Sequence, residues 1–140
     1  MRMKAAFLLF IVVSGLILAC TKTEIVISKN DLAGTWKLAR ITGGFAGIDS
    51  TPADRITLTF DAQGNFSSKL NVTITSSGTY NILKAADPGD YGSETLLNLH
   101  SDNNALTYGM HLSNDSLFLG SGCCDQFGYT YINKNKQGNP

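Results

Sequence analysis

Short segments in which apolar and polar residues alternate recur along the chain from residue 34 onward, with a spacing of about ten residues. The residues between them are rich in Gly, Asn, Asp and Ser, which favour turns. Alternation with a period of two indicates strands, and none of these segments shows the period of a helix. We therefore predict eight strands, at residues 34–42, 55–61, 65–73, 78–84, 94–100, 105–113, 116–120 and 126–134.

Three of the predicted hairpins place apolar side chains on one face of the sheet. Their turns are expected at residues 61–65, at residues 103–104 and between the last two strands. Because alternate residues of a strand share a face, each hairpin can be tested by the pairs that it brings together. The expected pairs are Phe60 with Phe66, Ile56 with Leu70, Leu99 with Tyr108, Leu97 with Met110, Thr95 with Leu112, Leu119 with Phe127 and Leu117 with Tyr129.

The pattern favours an all-β fold, an eight-stranded antiparallel up-and-down β-barrel. Most connections have hairpin length, and closing the sheet removes its exposed edges and leaves an interior for side chains or one small ligand. An open β-sandwich is the competing architecture. The predicted interior comprises Leu38, Ile56, Leu58, Phe60, Phe66, Leu70, Val72, Tyr80, Ile82, Leu97, Leu99, Tyr108, Met110, Leu112, Leu117, Leu119, Phe127, Tyr129 and Tyr131.

Residues 1–19 have the composition of a secretory signal peptide. Arg2 and Lys4 precede a short apolar run, which is too short for a membrane span and ends in small residues. Residues 17–20, Ile-Leu-Ala-Cys, resemble the lipobox of bacterial lipoproteins, in which the thiol of Cys20 carries the lipid. An ordinary secretory signal with an incidental cysteine is the alternative.

Cleavage before Cys20 would leave 121 of the 140 residues, enough for one domain. We expect a lipidated N-terminus and tether at residues 20–29, a barrel domain at residues 30–136 and a flexible tail at residues 137–140. The mature chain has nine basic and eleven acidic residues, which argues against nucleic acid as a partner and against electrostatic binding to anionic lipid. The lipid on Cys20 is then the expected membrane contact, in the bacterial cell envelope. Thr21 rather than Asp follows the cysteine, which favours the outer membrane.

Residues 32–36, Leu-Ala-Gly-Thr-Trp, resemble the Gly-x-Trp signature of lipocalins and their bacterial lipocalin-like relatives of the calycin type. The resemblance extends to the strand number, the lipid anchor and residues 77–80 at the start of the fourth predicted strand. In that family the Trp packs across the closed end of the barrel, and a basic residue near the last strand lies over it. The resemblance gives these roles to Trp36 and Lys134. A large aromatic side chain in the core is the alternative interpretation of Trp36.

In a lipocalin-like barrel, the loops after alternate strands would surround an open mouth, at residues 43–54, 74–77, 101–104 and 121–125. The first of these is long and Gly-rich and carries Phe45, which suggests a mobile lid; a tolerated long loop is the alternative. Arg40 would face the ligand unless a bulge turns it to solvent. The predicted ligand-binding residues are Arg40, Phe45, Tyr108, Met110 and Tyr129, around a small apolar molecule. A filled core, with an interaction role for the outer surface and an unknown protein partner, is the alternative.

The sequence contains no pattern typical of a catalytic, phosphate-binding or metal site. Most of its acidic residues lie in predicted turns, and His100 and His111 are too far apart along their strands to share a metal ion. We therefore expect no enzymatic activity, no cofactor and no metal.

Cys123 and Cys124 are adjacent, in the loop between the last two predicted strands. A disulfide between them needs a distorted geometry, because neighbouring α-carbons are about 3.8 Å apart and unstrained disulfides need more. A vicinal disulfide and free or intermolecularly paired thiols both stay open. Asp125 disfavours a reactive thiolate and therefore catalysis.

Overall fold

A computed structural model of the chain describes residues 26–102, 104–122 and 126–134. A short 3-10 turn, Pro88–Asp90, connects the strands Thr73–Lys84 and Thr95–Ser101. The elements in chain order are α1 (Lys29–Leu32), β1 (Gly34–Gly43), β2 (Ile48–Ser50), β3 (Ile56–Phe60), β4 (Asn65–Leu70), β5 (Thr73–Lys84), β6 (Thr95–Ser101), β7 (Asn104–Leu112), β8 (Ser116–Gly120) and β9 (Phe127–Asn133). None of the helices in these ranges is long and apolar enough to cross a membrane.

Eight of the nine strands form a closed antiparallel barrel. β1 and then β3 to β9 pair in chain order, and β9 pairs back with β1 to close the sheet. The remaining strand, β2, lies outside the barrel closure. It pairs with the last residues of β1 and forms a hairpin with them. The predicted eight-stranded up-and-down barrel is confirmed, and an open sandwich is excluded by the β1–β9 pairing.

One end of the barrel is closed by α1 and by large side chains beneath it. Leu32 of α1 and Trp36 of β1 are both fully buried, and the indole N–H of Trp36 donates to the Leu32 carbonyl at 2.9 Å. The rings of Phe60 and Tyr80 meet edge to face, with centroids 4.9 Å apart. Trp36 therefore lies at the closed end, where the resemblance placed it.

The basic residue beside this closed end comes from α1. The ammonium group of Lys29 lies 5.5 Å from the centroid of the Tyr80 ring, a cation–π distance. Lys134, which the resemblance placed over Trp36, has an exposed side chain, and its backbone N–H donates to the Thr35 carbonyl. This bond ties the end of the last strand to the beginning of the first.

The helix α1 begins at the last residue of the expected tether, because Ser28 caps it. The Ser28 hydroxyl accepts from the Asp31 N–H, and the Asp31 carboxylate accepts from the Ser28 N–H at 2.8 Å. This reciprocal capping box satisfies two backbone donors at the start of the helix. The hydrogen bonds from Ser28 lower the pKa of Asp31.

Two of the three tested hairpin registers differ from the prediction by two residues. The pairs Phe60 with Phe66 and Ile56 with Leu70 are confirmed in the β3–β4 hairpin. In β6–β7 the residue opposite Tyr108 is Leu97, not Leu99, because Asn104, predicted to lie in the turn, pairs directly with Ser101. The remaining difference has the same size: in β8–β9 Leu119 pairs with Tyr129, not with Phe127. A shift of two residues preserves the inward face, so the predicted sides of both hairpins are correct.

The β4–β5 turn lies at Asn71 and Val72, not at residues 74–77 as predicted. Asn71 has a φ of +59°, a left-handed conformation that Asn adopts more readily than most residues. Its side-chain oxygen also accepts from the Arg55 N–H at 3.1 Å. Val72, predicted to be interior, is therefore 90% exposed at the tip of the turn. Residues 74–77, predicted to form this loop, belong to the twelve-residue strand β5.

Candidate ligand-binding cavity

A cavity of about 280 Å³ lies in the barrel at the end opposite α1. This volume is near the lower end of the range of about 300 to 1,000 Å³ that is usual for small-molecule sites. The cavity is lined by Leu38, Ile41, Ile56, Leu58, Phe66, Ser68, Ser76, Leu99, Ser101, Asn104, Leu106, Tyr108, Leu119, Tyr129 and Tyr131. The barrel is thus filled at its closed end and hollow at its open end.

Beneath the cavity lies a floor of packed core side chains, none of which lines the cavity itself. Leu97 and Leu117 have no exposed surface, and Met110 is 1% exposed. Leu97 pairs with Tyr108 and Leu117 pairs with Tyr131, so these two tyrosines stand next to the floor. Met110, predicted to contact a ligand, belongs to the packed core beneath the cavity instead.

Three tyrosines converge on one side of the cavity. The rings of Tyr108 and Tyr129 are perpendicular, with centroids 6.4 Å apart. Burial and the nearby hydroxyls of Tyr108 and Tyr129 raise the pKa of Tyr131, and burial followed by the Tyr129 hydroxyl raises that of Tyr108. Both side chains are therefore neutral hydrogen-bonding groups at ordinary pH.

Within the described residues, no hydrogen bond engages the three tyrosine hydroxyls. Tyr80 provides the contrast, since its hydroxyl donates to the Asp61 carbonyl at 2.6 Å and serves the closed end. The three tyrosines are partly buried, so a ligand that fills the cavity takes their hydroxyls away from solvent and must replace the hydrogen bonds that water gives them. The hydroxyls of Tyr108, Tyr129 and Tyr131 are consequently the polar groups that a bound molecule would meet.

The outer part of the cavity is lined by small polar side chains. Ser101 and Asn104 flank the β6–β7 turn, and Ser68 faces Ser76 across β4 and β5. The lining between these small polar side chains and the tyrosines is aliphatic or aromatic. The cavity thus combines polar groups at both ends with an apolar middle.

No charged side chain of the described residues lines the cavity. Arg40, predicted to face a ligand, is turned outward because the pairing of β1 with β9 shifts register between Leu38 and Arg40. Its guanidinium makes a two-pronged ion pair with the exposed Asp49 of β2, through bonds of 2.7 and 2.5 Å. The hydrogen bond from Arg40 lowers the pKa of Asp49, and that bond also raises the pKa of Arg40. The bulge therefore keeps the charged guanidinium of Arg40 out of the barrel interior.

The expected lid, residues 43–54, is a hairpin that extends β1. Its strand β2 pairs with residues 41–43, and its turn is closed by a bond from the Gly47 N–H to the Gly44 carbonyl at 2.9 Å. Phe45 at the tip is 95% exposed and does not line the cavity. This segment is thus an ordered hairpin beside the mouth, with its aromatic side chain in solvent.

Exposed apolar side chains are concentrated around the mouth. Seven of the ten large apolar side chains exposed among the described residues lie at this end of the barrel. Since isolated exposed apolar residues are usual but clusters of them mark contact surfaces, this apolar rim points to contacts at the entrance. The apolar rim comprises Phe45, Ile48, Leu70, Val72, Ile74, Leu106 and Phe127.

Six cavity-lining residues lie outside the predicted interior: Ile41, Ser68, Ser76, Ser101, Asn104 and Leu106. Ser68 and Leu106 occupy inward positions, two residues from Phe66 and from Tyr108. Ser76, Ser101 and Asn104 lie in β5, β6 and β7, at positions that the prediction assigned to loops. Ile41 lines the cavity because the bulge between Leu38 and Arg40 reverses the alternation of β1. Alternation alone predicts the inward positions of Ser68 and Leu106, whereas the other four depend on turn positions and on this bulge.

The remaining candidate chemistry gives no second site in the part of the chain that the structure describes. These ranges contain no group of three His, Cys, Asp or Glu side chains that could hold a metal ion. His100 pairs with Ala105 and His111 pairs with Phe118, so the two histidines are far apart on the outer face. Cys20, Cys123 and Cys124 lie outside the described residues.

Comparisons with known protein families, with curated proteins and with solved structures find no match to this chain.

Proposed function

We propose that this protein binds one small, predominantly apolar molecule inside the open half of its barrel and has no catalytic role. The observation that carries the proposal is the cavity itself, with apolar walls and with tyrosine hydroxyls that have no hydrogen-bond partner among the described residues. A mostly apolar pocket with a few convergent polar groups is the usual form of a small-molecule site. The large side chains that fill the closed end do not extend to the mouth, which argues against a completely filled barrel.

We further propose that the protein is a lipid-anchored, lipocalin-like lipoprotein of the bacterial cell envelope, held in the outer membrane through Cys20. The lipobox-like residues 17–20 and the Gly-x-Trp segment support this proposal. The position of Trp36 across the closed end of an eight-stranded barrel supports it as well. The expected occupant of the site is then an apolar molecule of the envelope.

A neutral fluorescent probe tests the binding function directly. N-Phenyl-1-naphthylamine should bind the domain with one site per chain and an increase in fluorescence. Ser68→Phe should abolish this binding, because Ser68 lines the cavity. Ser67→Phe is the matched control, since the adjacent residue of β4 faces outward and the new ring should leave binding unchanged. Equal binding by both variants, or none by the unmodified protein, would refute the cavity as the site.

An interaction with a partner protein is the second candidate, and the apolar rim favours it. Replacing Phe45 and Val72 by Ser removes the two most exposed apolar side chains of the rim without touching the cavity lining. If the protein is only an interaction module, these changes should weaken partner capture from envelope extracts, while probe binding to the cavity should be absent from the start. A binding protein should retain full probe binding in this variant.

A further inference from the structure

The described residues that line the cavity include no charged group that could pair with a charge on a ligand. No acidic or basic side chain of the described residues lines it, and the one guanidinium predicted to face inward is turned out and paired with Asp49. A charge transferred from water into such surroundings costs several kcal/mol unless it is paired. A carboxylate, phosphate or ammonium group should therefore be rejected from the inner cavity.

The three tyrosine hydroxyls add a positive requirement. Tyr108 and Tyr131 pair with the fully buried residues Leu97 and Leu117, so their backbone positions lie at the inner end of the cavity that their side chains line. Each phenol can donate one hydrogen bond and accept others. An entirely apolar ligand would leave these groups without partners, whereas a hydroxyl or carbonyl group would complete them.

We propose that the ligand is an uncharged apolar molecule with a hydroxyl or carbonyl group at one end, and that it enters with this group first, toward Tyr108, Tyr129 and Tyr131. This proposal rests on the proposed function and specifies its ligand class. Selectivity then has two physical sources. The lining holds no charged group among the described residues, which disfavours a charged ligand. The tyrosine hydroxyls favour a ligand with a neutral polar end over an entirely apolar ligand.

Three molecules that share an eight-carbon chain separate these sources: 1-octanol, octanoate and octane. Each is titrated against the bound N-phenyl-1-naphthylamine probe at neutral pH. 1-Octanol should displace the probe at a concentration at least tenfold lower than octanoate, since octanoate carries an unpaired charge. It should also bind about fivefold more tightly than octane, since a neutral hydrogen bond contributes a factor of about that size.

Tyrosine variants show whether the hydroxyls cause this preference. In the variant Tyr108→Phe/Tyr131→Phe the advantage of 1-octanol over octane should disappear, while the affinity for octane stays the same or rises. Tyr91→Phe is the matched control, because Tyr91 lies outside the cavity lining, and the preference should persist in it. Circular dichroism and thermal unfolding confirm that each variant retains the barrel.

The possible results distinguish the two proposals. Displacement by octane and 1-octanol with equal affinity, or displacement by octanoate at least as strong as that by 1-octanol, overturns the ligand class and leaves the binding function intact. Failure of the probe and of all three molecules to bind overturns both proposals. A preference for 1-octanol that survives the loss of both tyrosine hydroxyls overturns the assigned orientation.

Discussion

At the scale of single residues, the five tyrosines of this chain separate into different roles. Tyr80 is 1% exposed, and its hydroxyl serves a carbonyl at the closed end. Tyr108, Tyr129 and Tyr131 line the cavity, and their hydroxyls have no hydrogen-bond partner among the described residues. The alternating pattern places four of these side chains inside the barrel but does not distinguish a structural hydroxyl from one that faces a cavity. That distinction depends on which backbone carbonyl lies within reach.

Tyr80→Phe should destabilise the barrel without affecting the cavity. The ring contact with Phe60 is retained, but the Asp61 carbonyl loses its 2.6 Å hydrogen bond. The expected decrease in the free energy of unfolding is about 1 to 2 kcal/mol. Urea denaturation measures it, with Tyr91→Phe as the control. An unchanged midpoint for Tyr80→Phe would mean that the bond contributes nothing net.

The raised pKa of Tyr131 makes stability depend on pH in the alkaline range. Because its pKa is higher in the folded than in the unfolded protein, its contribution to stability is complete below about pH 10 and is lost as the pH rises further. Absorbance of the phenolate should show tyrosines that ionise only with unfolding. Tyr131→Phe should reduce that late step by one tyrosine, and an undiminished step would place Tyr131 among the freely titrating groups.

At the scale of elements, alternation predicts the strands and their inward faces. It does not predict the turn positions, and the wrong registers follow from these. Alternation is a property of each strand alone, so all eight barrel strands were found. Register depends on the turn, and a difference of two residues leaves the alternation unchanged, as in β6–β7 and β8–β9. The strand β2 and the bulge at Arg40 arise from pairing between segments, which a single-strand pattern does not contain.

Gly78, in the middle of β5, leaves no room for a side chain. A Cβ atom at this position would lie 1.9 Å from the His100 carbonyl oxygen of β6, so the two strands would have to separate. This close approach explains a glycine in the interior of a long strand. The segment 77–80, expected to start a strand, is therefore internal, and its glycine has a packing role.

Gly78→Ala should destabilise the β5–β6 pairing by about 1 to 3 kcal/mol, the usual range for overpacking a well-packed site. Ser77→Ala, at the exposed neighbouring position, should change stability little and serves as the control. Thermal unfolding of both variants and amide hydrogen exchange in β6 measure the effect. Equal stability of the two variants would show that β5 and β6 can separate at this position without loss of stability.

At the scale of the whole molecule, the mouth and the N-terminal end lie at opposite ends of the barrel. α1 packs at the closed end, and the cavity opens between the turns at the other end. The residues from Cys20 to Ser28 span about 30 Å at most when fully extended. If the lipid on Cys20 holds the protein to a membrane, this tether keeps the closed end within about 30 Å of the membrane surface. We then expect the closed end on the membrane side and the mouth on the aqueous side, so that a ligand would enter from the aqueous side or from a partner.

Cys20→Ser tests the anchor and its independence from binding. Residues 20–140 contain two more acidic than basic residues, so without a lipid they have no net positive charge that would hold the protein to anionic membranes. The variant should move from the membrane fraction to the soluble fraction, while the unmodified protein is released only by detergent. Because the cavity lies at the end opposite α1, the released protein should bind N-phenyl-1-naphthylamine with unchanged affinity. Retention in the membrane would refute the lipid anchor, whereas release with loss of probe binding would show that the anchor and the cavity are coupled.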